Sequence, residues 1–180
     1  GVLEFRKGIG TFVKNPILDY DISALSSFHD RAIASSKKPS TVIFKFEKRD
    51  VQSAGTEIQK ILQLENGEKI FYLKRLRMAD NVPLILERRF LVEKYCSNLK
   101  KEDAEGSIYS VLRKKCNRII AGAHEVMKAI IIPPEDAAIL QSKQGSAGFL
   151  MLVTGYTENE APLWYAEVLY RGDLYEFHNS

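Results

Sequence analysis

Two stretches near the middle of the chain, Phe71 to Met78 and Leu84 to Val92, are rich in β-branched, aromatic and alternating apolar residues. That pattern predicts two strands, joined at Ala79-Asp80-Asn81. Thr41 to Glu47 reads as another strand. Phe149 to Tyr156 and Leu163 to Tyr170 read as a hairpin across Thr157-Glu158-Asn159-Glu160, and Leu174 to Phe177 adds a short final strand. Helical spacing is confined to short pieces. They are Ser26 to Ala34 with a serine N-cap, Glu57 to Leu62, residues 106 to 116 with Ile108, Val111 and Leu112 on one side, and a turn opened by Pro133-Pro134-Glu135-Asp136. Arg118 to Ile132 is β-rich. Near the start, Leu3 to Arg6 and Gly10 to Val13 form two small strands around Lys7-Gly8-Ile9, and Asn15 to Tyr20 reads as a linker. Direct hairpins with few long crossovers predict an α+β fold, an antiparallel β-sheet flanked by short helices.

The chain has 180 residues and a formal net charge of +3. That length supports one domain plus a small appendage. The charge is too small to make this chain itself an electrostatic nucleic-acid binder, which needs a concentrated basic face. Two cysteines, Cys96 and Cys116, stand without a C-x-x-C and read as reduced thiols. No apolar run reaches the length of a membrane helix and no secretory pattern opens the chain, so a cytoplasmic location is expected.

Strand periodicity places Phe71, Leu73, Arg75 and Arg77 on one face, and Ile85, Glu87 and Arg89 on one face of the next strand. Arginine forks suit a phosphate or carboxylate. On periodicity alone, an exposed sheet face with ion pairs is the slightly better reading. The turn bears on the choice. A two-residue turn at Asp80-Asn81 pairs Ala79 with Val82 and sends Arg77 and Glu87 to opposite faces. A shared pocket therefore requires an odd loop or a bulge. Ser107 starts a helix, where it either caps the helix or offers an anion site, with Tyr109 two residues on. Enzyme signatures are poor. His29, His124 and His178 have no metal-ligand spacing, and G-x-S-x-G, the P-loop and G-x-G-x-x-G motifs do not occur. No cofactor, metal or catalytic residue is expected.

Phe71 to Leu91, FYLKRLRMADNVPLILERRFL, resembles the signature stretch of the UTRA domain of the HutC-type branch of GntR-family bacterial transcription regulators. The resemblance continues at Gly106 to Leu112, at Ala161-Pro162-Leu163-Trp164-Tyr165 and at Tyr170 to Phe177. Arg6 to Val13 is similar to the wing of the winged helix-turn-helix in these regulators. The resemblance divides the chain into residues 1–13, a wing remnant; residues 14–25, a linker; and residues 26–180, the effector-binding domain.

The resemblance implies a chorismate-lyase-like fold used for binding, homodimers, and a pocket for a small anionic effector such as a sugar phosphate. It also implies operator DNA held by a winged helix outside this chain, in what reads as a repressor. The residues matching the family's effector site are Arg75, Arg77, Glu87, Ser107, Tyr109 and Tyr170, with backbone amides near Phe28 and His29. Trp164 stands where the family commonly has a polar residue facing the ligand. An indole offers one donor and a flat face, so the expected effector is acidic at the arginines and flatter or less hydroxylated opposite. Two other readings are a chorismate-lyase-like enzyme and a purely structural dimerisation domain.

Overall fold

The computed structural model describes residues 3–6, 10–13, 18–21 and 28–178. The two central alternating stretches become β5 (Lys69–Ala79) and β6 (Val82–Val92), the middle of a six-stranded antiparallel sheet. The other strands are β4 (Pro39–Asp50), β7 (Gly122–Ile131), β8 (Ala147–Tyr156) and β9 (Pro162–Arg171). Their spatial order is β4-β5-β6-β9-β8-β7. Each half is a meander, β4-β5-β6 and β7-β8-β9, and the halves meet where β6 pairs with β9. The antiparallel α+β architecture agrees with the sequence pattern.

Short elements cover both faces. On one face, α2 (Thr56–Ile61) lies over a cluster built on Val51, Leu62, Ile70 and Phe90, and α4 (Pro134–Leu140) lies over Leu76, Leu86 and Leu169. The opposite face carries the larger core, from Leu73 and Leu91 to Trp164 and Ala166. It is covered by α1 (Phe28–Ala34), α3 (Ile108–Lys114) and the 3-10 turn at Lys101–Glu105.

At the start, β1 (Leu3–Arg6) and β2 (Gly10–Val13) pair antiparallel, as the pattern predicts. The stretch read as linker contains a strand, β3 (Leu18–Asp21), which pairs in parallel with the last strand, β10 (Tyr175–His178). That pairing is invisible to periodicity, because the two segments meet only through tertiary structure. Ser26 and Ser27, the expected caps of α1, lie outside the described residues.

The turn between β5 and β6 resolves the register question. Asp80 and Asn81 both have positive φ, 51° and 64°, in a two-residue turn that pairs Ala79 with Val82. The pairing then shifts: Met78 faces Pro83, but Arg77 faces Ile85. Leu84 is the extra residue of a β-bulge, and it moves every later residue of β6 to the other face. Arg75 therefore lies directly opposite Glu87.

Candidate functional site

The face shared by Arg75, Arg77, Glu87 and Arg89 is buried, not an exposed ion-paired surface. The four residues are 3%, 3%, 4% and 4% exposed. They line a cavity of about 50 Å³, room for roughly three to five waters. α1 contributes Phe28 and Arg31, and α3 with its cap contributes Ser107, Ile108 and Tyr109. Ile85, Met151, Val153, Val168 and Tyr170 supply the rest of the wall from β6, β8 and β9.

Each arginine is held differently. Arg75 is fully committed to protein acceptors. Its Nε and Nη2 meet Glu87 Oε2, each at 2.7 Å, and its Nη1 donates to the carbonyls of Ala104 and Gly106. Arg77 donates through Nη1 to Thr41 Oγ1 and the carbonyls of Glu105 and Gly106, and its guanidinium stacks on the Phe28 ring at 5.1 Å. Its Nε is buried without a partner. Arg89 donates from Nε to Glu87 Oε1 at 2.5 Å and lies 5.4 Å from the Tyr109 ring and 5.3 Å from the Trp164 ring. Its Nη1 is also buried without a partner.

The electrostatics are lopsided. Among the described residues three buried guanidiniums share one carboxylate, Glu87, so about two of their positive charges stand without a paired carboxylate. Burial would raise the Glu87 carboxyl, but the three arginines outweigh it and hold Glu87 well below the usual carboxylate range. For Arg77, burial and then neighbouring Arg75 bring the pKa down to about 9, with Glu87 opposing them. Such a site is costly when empty and gains from an anion.

Seven of the nine sequence-predicted residues come together: Phe28, Arg75, Arg77, Glu87, Ser107, Tyr109 and Tyr170 line one cavity. Ser107 also caps α3, its Oγ accepting from Ser110 N at 3.3 Å. Two predicted residues sit elsewhere. His29 is exposed and borders an open groove with Ser107, Tyr109, Arg113 and Arg118. Trp164 is 0% exposed and is not in the cavity wall. Its ring lies against Tyr109 edge to face at 5.3 Å and fills the space over Gly155, where a Cβ would come within 2.0 Å of it. It packs behind the cavity wall, whereas the resemblance implies a position facing the ligand. Arg31 and Arg89 also line the cavity, outside the set that the resemblance implies. Arg89 was detectable, since it shares the face of Glu87. Arg31 was not, because helical spacing does not reveal which sheet the helix covers.

The sequence matches the family model described as the UTRA domain over residues 35–176. The chain belongs to the UTRA-domain family. It is the effector-binding domain of a GntR-family, HutC-type transcription regulator, and not an enzyme. Among curated relatives it is 25% identical over 177 residues to the HTH-type transcriptional repressor NagR of Bacillus subtilis (98% of this chain, 72% of the relative). It is 22% identical over 151 residues to the histidine utilization repressor of Pseudomonas putida (84% of this chain, 59% of the relative). Among solved structures, PhnF from Mycobacterium smegmatis superposes with a TM-score of 0.84 at 20% identity, covering 99% of this chain and 77% of that one. No helix among the described residues is long and apolar enough to cross a membrane.

Proposed function

We propose that the cavity on the covered face of the sheet binds a small anionic effector, and that binding changes the operator affinity of a repressor. The effector would be a sugar phosphate or another acidic metabolite. The observation that carries this reading is the buried charge imbalance, three arginines against one glutamate, with two guanidinium nitrogens left unpartnered. A structural core has no use for that imbalance, whereas an anion would discharge it.

A route from cavity to operator is supported by the packing. Tyr170 lines the cavity, and its ring meets those of Tyr175 and Phe177 edge to face, at 4.7 Å and 5.1 Å. Both partners belong to β10, which pairs with β3 in the stretch leading back to the wing-like hairpin. An effector that shifts Tyr170 would thus bias the strand pair that carries the DNA-reading part, acting as a homodimer bound to operator DNA. Linkage demands that the effector bind one dimer arrangement better than the other.

The test is a thermal-shift screen of phosphorylated sugars, amino-acid conjugates and histidine-pathway acids, followed by operator titrations of the full-length regulator. A binding effector raises the melting temperature by mass action. Arg77→Ala should abolish that rise and leave the dimer intact. A variant that keeps the rise, or an effector that leaves operator affinity unchanged, would sink the reading.

A further inference from the structure

The cavity has two unsatisfied cationic ends, and their placement says more about the ligand than its sign. Arg89 belongs to β6 and pairs across the sheet with Leu73, whereas Arg77 lies four residues further along β5. At about 3.4 Å per residue, their backbone positions are about 14 Å apart along the strands. Arg75 and Glu87 occupy the row between them. Arg75 has no nitrogen to spare, and Glu87 accepts from Arg75 through one oxygen and from Arg89 through the other. Among the arginines of β5 and β6 the donors left over, Arg77 Nε and Arg89 Nη1, therefore flank a saturated centre, while Arg31 of the covering helix, which also lines the cavity, is engaged by partners of its own.

Arg89 is built as a rigid donor. It is 4% exposed, its Nε is pinned to Glu87, and its guanidinium plane is confined by Tyr109 and Trp164. Trp164 is in turn seated over Gly155. A cation fixed this tightly with a spare buried N–H is suited to one acidic group in one place.

We infer that the effector carries two acidic groups, one held at Arg77 and a second, separate one held by Arg89 Nη1. The inference rests on the cavity being the effector site. It replaces the flat, weakly polar second end expected at Trp164 with a second acid: Trp164 orients Arg89, and Arg89 meets the ligand. Two acidic groups also match the two uncompensated charges.

A matched probe pair tests this. 3-Phosphoglycerate and sn-glycerol 3-phosphate share a phosphate monoester and differ by a carboxylate in place of a hydroxymethyl group. Their affinities for the domain are measured by calorimetry for wild type, Arg89→Gln and Arg89→Lys. The expected result is at least ~10-fold tighter binding of 3-phosphoglycerate by wild type, a ratio near ~1 in Arg89→Gln, and a partly restored preference in Arg89→Lys, which keeps the charge. In Arg89→Gln, sn-glycerol 3-phosphate should lose far less affinity than 3-phosphoglycerate. If Arg89→Gln weakens both probes equally, one phosphate bridges both arginines and the two-acid inference is overturned. It is also overturned if wild type does not favour 3-phosphoglycerate while binding sn-glycerol 3-phosphate. Should neither probe bind wild type in competition with chloride, while an uncharged sugar does, the anionic-effector reading itself fails. If Arg89→Gln does not fold, the wild-type ratio and Arg89→Lys decide: a preference below ~2-fold in wild type, or one unchanged in Arg89→Lys, overturns the inference.

Discussion

Arg75 and Glu87 lie directly opposite each other on β5 and β6, with Nη2 and Oε2 2.7 Å apart and both side chains buried. This pair centres the cavity. Glu87 also takes the Arg89 Nε on its other oxygen, so one carboxylate holds two guanidiniums in place.

Removing that carboxylate should be far worse than removing a surface charge. Glu87→Gln leaves three buried guanidiniums with no counter-charge, and the expected loss is about 3–5 kcal/mol. Urea denaturation would show it as a lower midpoint with an unchanged slope. A loss below about 1 kcal/mol would mean that solvent or bound anion already neutralises the arginines.

The same carboxylate makes a pH prediction. Its pKa lies below the ordinary 4.5 in the folded state, because the arginines outweigh its burial. The unfolded chain therefore takes up the proton first as pH falls. The stabilisation by Glu87 is complete above about pH 4.5 and is lost progressively below it, towards the folded-state value. Stability curves from pH 6 to pH 3 should fall less steeply for Glu87→Gln than for wild type. Parallel acid limbs would contradict the charge arrangement.

The turn offers a stabilising change. Asn81 has φ 64° and follows Asp80 at φ 51°, the conformation for which Asp-Gly is the preferred pair. Asn81→Gly should relieve about 0.5–1 kcal/mol of left-handed strain. For a domain of this size that raises the melting temperature by about 1–4 °C. Phosphate-ester binding should not change, because the bulge at Leu84 sets the register.

Gly155 and Trp164 are coupled by contact. An alanine Cβ at 155 would sit 2.0 Å from the indole, and the ring is wedged against Tyr109 and Arg89. Gly155→Ala should cost about 3 kcal/mol. Trp164 is the single tryptophan, so its emission would shift to the red as the ring is displaced. An unchanged emission maximum would show that the sheet yields instead of the indole.

Much of this protein is written locally. The alternation in Lys69–Ala79 and Val82–Val92 settles two strands, and Asp80-Asn81 settles their turn. Period-two patterning also says that Arg75 and Arg77 share a face, and that Glu87 and Arg89 share one. It even says that a bulge or odd loop is needed for the two sets to meet. It does not say which residue bulges, because Pro83 and Leu84 are both apolar and both are buried in the assembled sheet.

Tertiary structure decided the rest. The arginine face is buried because α1, α3 and the 104–106 carbonyls close over it, and those segments are distant in sequence. Trp164 packs behind the cavity wall because Gly155, on a neighbouring strand, leaves the space its ring occupies. The parallel pairing of β3 with β10 joins segments more than 150 residues apart. Local sequence determines backbone conformation and side-chain alternation, which depend on near neighbours. Which alternating face becomes a charged cavity depends on what packs over it, and only the folded chain brings those residues together.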